Sequence, residues 1–171
     1  MAAEELFDVV DLADRVVRQL PRSEVHRGRL LHRAVHVFVF RSDGTMLIHL
    51  RSTRKEEFPS VWTSSACGHV SAGETYDDSA PRELLEELGL QARLVPLQKF
   101  AAGPDTSFEF TMLYQAHSDA PVCVDSEEIS ETRWLEPSAI AEWIARTPGD
   151  FSPAFRRLFS WFLQCGPKSE F

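Results

Sequence analysis

The sequence predicts an α/β fold, and three observations carry that expectation. Short runs of β-branched and aromatic residues, bounded by turn signals, recur from residue 6 to residue 135. A strongly one-sided helical pattern interrupts them at 80–88, and two more close the chain at 137–145 and 153–165. With 171 residues, 43% hydrophobic and 11% aromatic, the chain is long enough for one domain with a substantial core. A single domain over 1–171 is therefore expected.

Residues 6–10 and 15–20 are β-rich runs about an Asp-Leu-Ala-Asp turn, an N-terminal hairpin that Pro21 ends. The stretch SEVHRGRLLH follows as a short helix or turn that carries His26 and His32, and it completes an N-terminal section of about 1–30. Residues 34–40 and 46–50 are expected as central strands, joined through Asp43-Gly44, a strong hairpin signal. The polar loop 52–59 and Arg51 before it hold the densest basic cluster, Arg51, Arg54 and Lys55. Residues 61–66 then run as a strand into the acidic helical segment. Beyond it, 92–100 and 108–116 are two strands separated by the Ala-Gly-Pro-Asp region at 102–105. Residues 121–125 read as a short edge piece, and Glu127, Glu128 and Glu131 as an acidic loop ahead of a strand at 132–135. Pro137 opens a helix that offers Ile140, Trp143 and Ile144 to the core, and Pro148-Gly149 breaks it. Phe155, Leu158, Phe159 and Phe162 stand at helical spacing, the pattern of a core-facing helix; 137–165 thus forms a C-terminal helical section.

Composition excludes several function classes. A formal charge of −8 lacks the basic stripe that a general nucleic-acid binder needs. No run is apolar and long enough to span a membrane, and the first five residues do not read as a secretory leader, so a cytoplasmic location is expected. Cys67, Cys123 and Cys165 are odd in number and lack CxxC spacing, which points away from a disulfide framework or a structural zinc site.

The acidic segment carries the chemistry. At about 100° per residue, Glu86 and Glu87 lie within roughly 60° of Glu83, while Leu84, Leu85 and Leu88 fall on the opposite side. Like charges at this spacing repel, and the only base nearby is Arg82. An isolated ExxEE can be a solvated face; here the alternative is a hard cation, Mg²⁺ or Mn²⁺, held by oxygen ligands. Upstream, Ser71-Ala72-Gly73-Glu74 reads as a tight turn with Gly73 at a position of positive φ, and Gly89 reads as a left-handed stop after Leu88. Pro81 places the start of the regular helix near Ser79.

Taken together, 68–90 runs Gly68, five residues, Glu74, seven residues, Arg82-Glu83-Leu84, one residue, Glu86-Glu87, one residue, Gly89-Leu90. This resembles the Nudix box at every fixed position. The resemblance implies an α/β/α sandwich with a mixed central sheet, a Mg²⁺-dependent site for which Mn²⁺ can substitute, and cleavage of a diphosphate linked to another moiety. By the same resemblance Glu83, Glu86, Glu87 and Gly68 hold metal, Arg82 and the glutamates are catalytic, and Glu74, Gly73 and Gly89 shape the loop and helix. The substrate is expected to be a small-molecule diphosphate, and relatives of this family are often homodimers. Arg51, Arg54 and Lys55 are candidates to meet its phosphates. Phe58 and Trp62, with Phe108 and Trp134, could stack a base or pack a prenyl chain; each fits plain core equally well.

A second resemblance competes. Phe58-Pro59 and the run from Trp62 to His69, WTSSACGH, are similar to the segment of type I isopentenyl-diphosphate isomerases that carries a catalytic cysteine and a metal histidine. Cys67 and His69 match those positions, His32 another metal histidine, and Glu109 a strand carboxylate. His26 does not stand clearly at the spacing of the remaining histidine, Ser64 replaces an Asn, and Ser107 stands where a second carboxylate is expected. Those isomerases generally lose much of the RExxEE pattern that is complete here. The sequence therefore predicts a hydrolase on an isomerase-like frame, with an isomerase using Cys67 and Glu109, or a non-catalytic phosphate-ligand binder, as alternatives. The general base stays open among Glu83, Glu109, Glu127 and Glu128.

Overall fold

The computed structural model describes residues 4–167; part of the N-terminal stretch read for a leader lies outside them. In chain order the elements are β1 (Leu6–Val10), β2 (Val16–Pro21), α1 (Arg22–Arg27), β3 (His32–Phe40), β4 (Met46–Arg51), β5 (Trp62–Thr63), β6 (Ala66–His69), α2 (Tyr76–Leu88), β7 (Val95–Phe100), β8 (Glu109–His117), β9 (Ile129–Leu135), α3 (Pro137–Arg146) and α4 (Pro153–Cys165). β1 and β2 form the expected hairpin. The other strands build one mixed sheet. β3 runs parallel to β8 from His32↔Glu109 to Phe40↔His117, β6 pairs antiparallel with β3, and β4 pairs with β5 and β9.

The alternation of β3 explains the layers. Val35, Val37 and Val39 face a core shared with Ala80, Leu84 and Leu88 of α2. Phe38 and Phe40 point the other way, into a core with Ile140 of α3 and Phe155, Leu158 and Phe159 of α4. A strand covered on both faces buries every side chain, which is why this stretch is apolar almost throughout. Each such side chain contributes about 1.5–3 kcal/mol on burial. The box helix and the C-terminal helices thus cover opposite faces of the sheet, an α/β/α sandwich.

The N-terminal hairpin is anchored where it matters for the site. Phe7, Val9 and Val25 form their own small cluster. Asp8 accepts hydrogen bonds from Gln19 and from the Gly73 N–H at 2.9 Å each, and the Ala72 N–H donates to the Leu6 carbonyl at 2.8 Å. These bonds clamp the turn that delivers Glu74.

Several expectations are corrected. α2 begins at Tyr76, not near Ser79, because Thr75 and Asp78 form a reciprocal capping box. Pro81 lies inside the helix, on its exposed side, and supplies no N–H to the Asp77 carbonyl one turn earlier. The strand expected over 61–66 is two short ones, β5 and β6, interrupted at Ser64 and Ser65. The hydroxyl of Ser65 donates to the Leu47 carbonyl and accepts from the Val39 N–H, so a side chain replaces ladder bonds there. Residues 121–125 form no strand; the N–H groups of Cys123 and Asp125 donate to the Leu88 and Glu87 carbonyls and satisfy the end of α2. β3 and β4 meet only at Phe40↔Met46, because β6 and β8 take the rest of β3.

Thr75→Ala removes one half of the capping box and is expected to lower the free energy of unfolding by about 1 kcal/mol, read as a shifted urea midpoint. An unchanged midpoint would show that the early start of α2 does not depend on this cap.

Candidate active site

The site is assembled where α2 packs beneath β6. Arg82 sits at its centre. Its guanidinium donates to both oxygens of Glu74 at 2.9 Å each, to Glu83 at 2.7 Å, to Glu86 at 3.1 Å and to the His69 carbonyl at 3.1 Å. The fork shape of arginine permits this simultaneous grip, which a lysine could not reproduce. The Arg82 hydrogen bonds hold the Glu74 carboxyl below its ordinary value. Gly73 and Gly89 take the positive φ expected of them, 81° and 64°. Gly68 matters for a different reason: a Cβ there would fall inside the Glu83 carboxylate.

The acidic face of α2 is not a solvated face. Glu87 is only 3% exposed, and one of its oxygens accepts the Cys67 N–H at 2.9 Å. Leu85, assigned to the apolar side by the helical wheel, is instead 46% exposed. The helix is therefore rotated so that Glu87 and part of Glu83, rather than Leu85, meet the protein. Burial first, and the Glu83 charge second, push the Glu87 carboxyl up to about 8. Burial likewise raises Glu83, although Arg82 lies beside it. A half-buried and a buried carboxyl that resist ionising together, the first lying directly under Gly68, form an oxygen-only donor set suited to a hard divalent cation. Glu86 stays exposed, turned toward Arg82, and the three glutamates do not converge on one point among the described residues.

A cleft of about 290 Å³ opens above these acids, bordered by Lys55, Gly68, Glu83, Glu87, Asp125 and Glu128. A smaller recess of about 70 Å³ adjoins it, lined by Arg51, Lys55, Phe58, Cys67, His69 and Glu109. Lys55 borders both and pairs with Glu128. Arg51 spends most of its donors on the Glu57 and Phe58 carbonyls, holding the loop, with one nitrogen 3.9 Å from Cys67 Sγ. Arg54 is an exposed partner of Glu127 and borders neither space, whereas Arg51 lines the recess. Trp62 is core, packed against Trp143 with Arg133 over its face. Trp134 packs beside the α2 core under Arg41, and Phe108 borders a separate pocket near His26. Of the aromatic candidates only Phe58 faces the recess.

The residues of the isomerase resemblance also come together, and with them a residue that sequence spacing did not place. His26, His32 and His69 have ring centroids 5.0 to 5.4 Å apart. Phe7 stacks beneath His69 and His32 at 4.6 and 5.6 Å. His69 Nε2 lies 3.0 Å from Glu109, and His32 Nδ1 donates to the Leu30 carbonyl at 2.8 Å. The distal nitrogen of His26 is buried without a hydrogen-bond partner, and that of His32 faces the Glu109 carboxylate at 3.5 Å. Burial alone would raise the Glu109 carboxyl, but His32 and His69 outweigh it and hold it well below the usual carboxylate range. Glu57, from the polar loop, accompanies Glu109 and His69, supplying a carboxylate where Ser107 lacks one. His26 sits on α1, whose docking under the hairpin no residue spacing encodes. Cys67, one residue from Gly68, is buried, and burial pushes its thiol up to about 12.

Comparison with known proteins agrees with this geometry. A NUDIX domain model matches residues 30–162. The chain is 37% identical over 139 residues to the uncharacterized Nudix hydrolase PA4841 of Pseudomonas aeruginosa, covering 81% of this chain and 82% of that one. It is 30% identical over 157 residues to the isopentenyl-diphosphate Delta-isomerase of Burkholderia multivorans, covering 89% of each. The crystal structure of DR0079 from Deinococcus radiodurans superposes with a TM-score of 0.79 at 30% identity, over 95% of this chain and 100% of that one.

The raised Glu87 value has a measurable sign. Its folded value of about 8 exceeds the ordinary 4.5, so between those pH values the folded chain binds the extra proton and stability falls as pH rises through the window. In chelator, Glu87→Gln is expected to be more stable than wild type near pH 8.5, by roughly a few kcal/mol at most, with the difference shrinking toward about pH 5. Thermal unfolding at the two pH values checks this, and a Glu87→Gln protein that melts below wild type at the higher pH contradicts it.

Proposed function

The chain belongs to the Nudix family, and from that membership we propose a Mg²⁺-dependent pyrophosphohydrolase, with Mn²⁺ able to substitute, that cleaves the diphosphate linkage of a nucleoside diphosphate derivative or a related organic pyrophosphate. The observation that carries the reading is the pair of half-buried Glu83, closed under Gly68 and held by Arg82, and buried Glu87, fixed by the Cys67 N–H. In it Glu83, Glu87 and Gly68 hold the cation, and the exposed Glu86 swings from Arg82 to complete the set. A cation bound there supplies a more acidic water and offsets charge that develops on the phosphate oxygens.

The chain's own groups account for the rest. Lys55, at the junction of cleft and recess, meets the diphosphate, and Phe58 packs against the moiety it carries. Glu128 borders the cleft, paired with Lys55; once the diphosphate takes that lysine, the freed Glu128 carboxylate is our assignment for the base that takes the water's proton. Glu127 is turned toward Arg54, and Glu109 is engaged by His69. The substrate is a small molecule and not nucleic acid, in keeping with the charge of −8. No helix among the described residues is long and apolar enough to cross a membrane, and a cytoplasmic homodimer completes the proposal.

One observation favours a second reading. His69 and Glu109 line the recess with Cys67, and His26 and His32 stand behind them, the donor set the isomerase resemblance asks for; an isomerase relative is similar over most of the chain. A thiol and a carboxylate there would shuttle a proton across an allylic diphosphate. A non-catalytic binder would show no dependence on divalent metal.

A product-resolved assay in Mg²⁺ with a nucleotide panel and isopentenyl diphosphate separates the readings. Wild type is expected to cleave a diphosphate, Glu87→Gln to lose the activity by orders of magnitude while staying folded, and Cys67→Ala to remain active. Conversion of isopentenyl diphosphate to its allylic isomer with no cleavage, lost in Cys67→Ala, would overturn the hydrolase.

A further inference from the structure

His49 lies in the middle of β4, fully buried, and takes no part in the chemistry above. Its Nδ1 donates to the Ser65 carbonyl at 2.9 Å, which leaves Nε2 as a bare acceptor. That nitrogen is buried and has no partner. Burial holds the ring neutral, pulling it down to about 3. A ring nitrogen of His49, Cys67 Sγ and a Glu87 carboxylate oxygen all lie within 4.8 Å of one another. β4, β6 and α2 each contribute one donor, so the three are held by the sandwich itself and not by a loop. Cys67 and Glu87 border the cleft, which gives an ion a way in.

One nitrogen, one sulfur and one oxygen form a donor set unlike the all-oxygen pair Glu83 and Glu87. It is too soft for Mg²⁺ and well suited to Zn²⁺. Donors in a tetrahedral zinc site stand roughly 3.5 Å apart, so an inward shift of about an ångström closes the site and leaves one position open to the cleft. We propose that His49, Cys67 and Glu87 form a thiophilic metal site that takes Zn²⁺ and thereby withdraws Glu87 from the hydrolytic cation. On binding near pH 7, the thiol proton and the Glu87 carboxyl proton leave to solvent as the Zn–S and Zn–O bonds form, with no change of oxidation state. The site makes Zn²⁺ an inhibitor that competes with Mg²⁺; this half of the proposal rests on the hydrolase reading, whereas the binding does not.

The test uses Co²⁺ as a spectroscopic stand-in for Zn²⁺ on the full chain, with the exposed Cys123 and Cys165 changed to Ser. One equivalent of Co²⁺ is expected to produce a thiolate-to-cobalt charge-transfer band that one equivalent of Zn²⁺ removes. The cluster of His26, His32 and His69 contains no sulfur and cannot produce that band. His49→Asn keeps a donor for the Ser65 carbonyl but lacks the distal nitrogen, and it is expected to bind Zn²⁺ at least roughly tenfold more weakly. It should also need at least tenfold more Zn²⁺ for the same inhibition of Mg²⁺-dependent hydrolysis. Absence of the band, its survival in Cys67→Ala, or an unchanged Zn²⁺ affinity in folded His49→Asn overturns the proposal; if His49→Asn does not fold, the first two outcomes decide. A chain that shows the band yet hydrolyses nothing supports the site and overturns the pyrophosphohydrolase.

Discussion

The carboxyl of Glu87, buried under β6 and bonded to the Cys67 N–H, is the constraint from which the rest of the site follows. Taking an acid out of water is unfavourable unless a charge or proton compensates it. α2 nevertheless turns this acid inward and leaves Leu85 outside. The Cys67 N–H, with Lys55 and Arg51 at longer range, offsets that charge only in part, so the carboxyl keeps its proton. Arg82 holds the neighbouring acids: it grips Glu83 and Glu74, Glu74 is delivered by the Gly73 turn, and that turn is clamped to the hairpin through Asp8. Only Gly68 lets β6 approach Glu83 closely enough to close the space from above. A conventional amphipathic helix, with every leucine buried and every glutamate wet, would be more comfortable and would hold no cation.

β6 places two different donor sets side by side. On the α2 side lie carboxylates, suited to a hard ion and to phosphate chemistry. On the hairpin side lie His69, His32, His26 and Glu109, a nitrogen-rich set stacked on Phe7. Relatives similar to this chain include both a Nudix hydrolase and an isopentenyl-diphosphate isomerase, and the geometry shows how one frame can serve both chemistries. Which set does the work is decided by the side chains around the cleft and not by the fold.

The parts legible in the sequence are those determined locally. α4 runs over 153–165 as its apolar spacing indicates, β1 spans the β-rich run at 6–10, and the Arg82–Glu74 contact and the positive φ of Gly73 and Gly89 follow the box motif. What escaped depends on contacts between distant segments. The helical wheel shows which residues share a face of α2 but not which face meets the sheet, so Leu85 and Glu87 exchanged places. Trp62 was a ligand candidate until Trp143 and Arg133, far along the chain, covered it. Glu57 and His26 reach the histidine cluster from a loop and a short helix whose docking is tertiary. The exception is the start of α2, which was legible: Thr75 and Asp78 stand at capping-box spacing, and Pro81 drew the boundary away from them.

The most direct test of the central claim is the number of protons released when Mg²⁺ binds, measured by titration calorimetry at about pH 7 in buffers of different ionisation enthalpy. A Glu87 carboxyl raised to about 8 is largely protonated before the ion arrives and must ionise to hold it, so release of about one proton is predicted. Binding without proton release would mean that Glu87 was already charged or is not a ligand, and the account of the site built on its burial would fail.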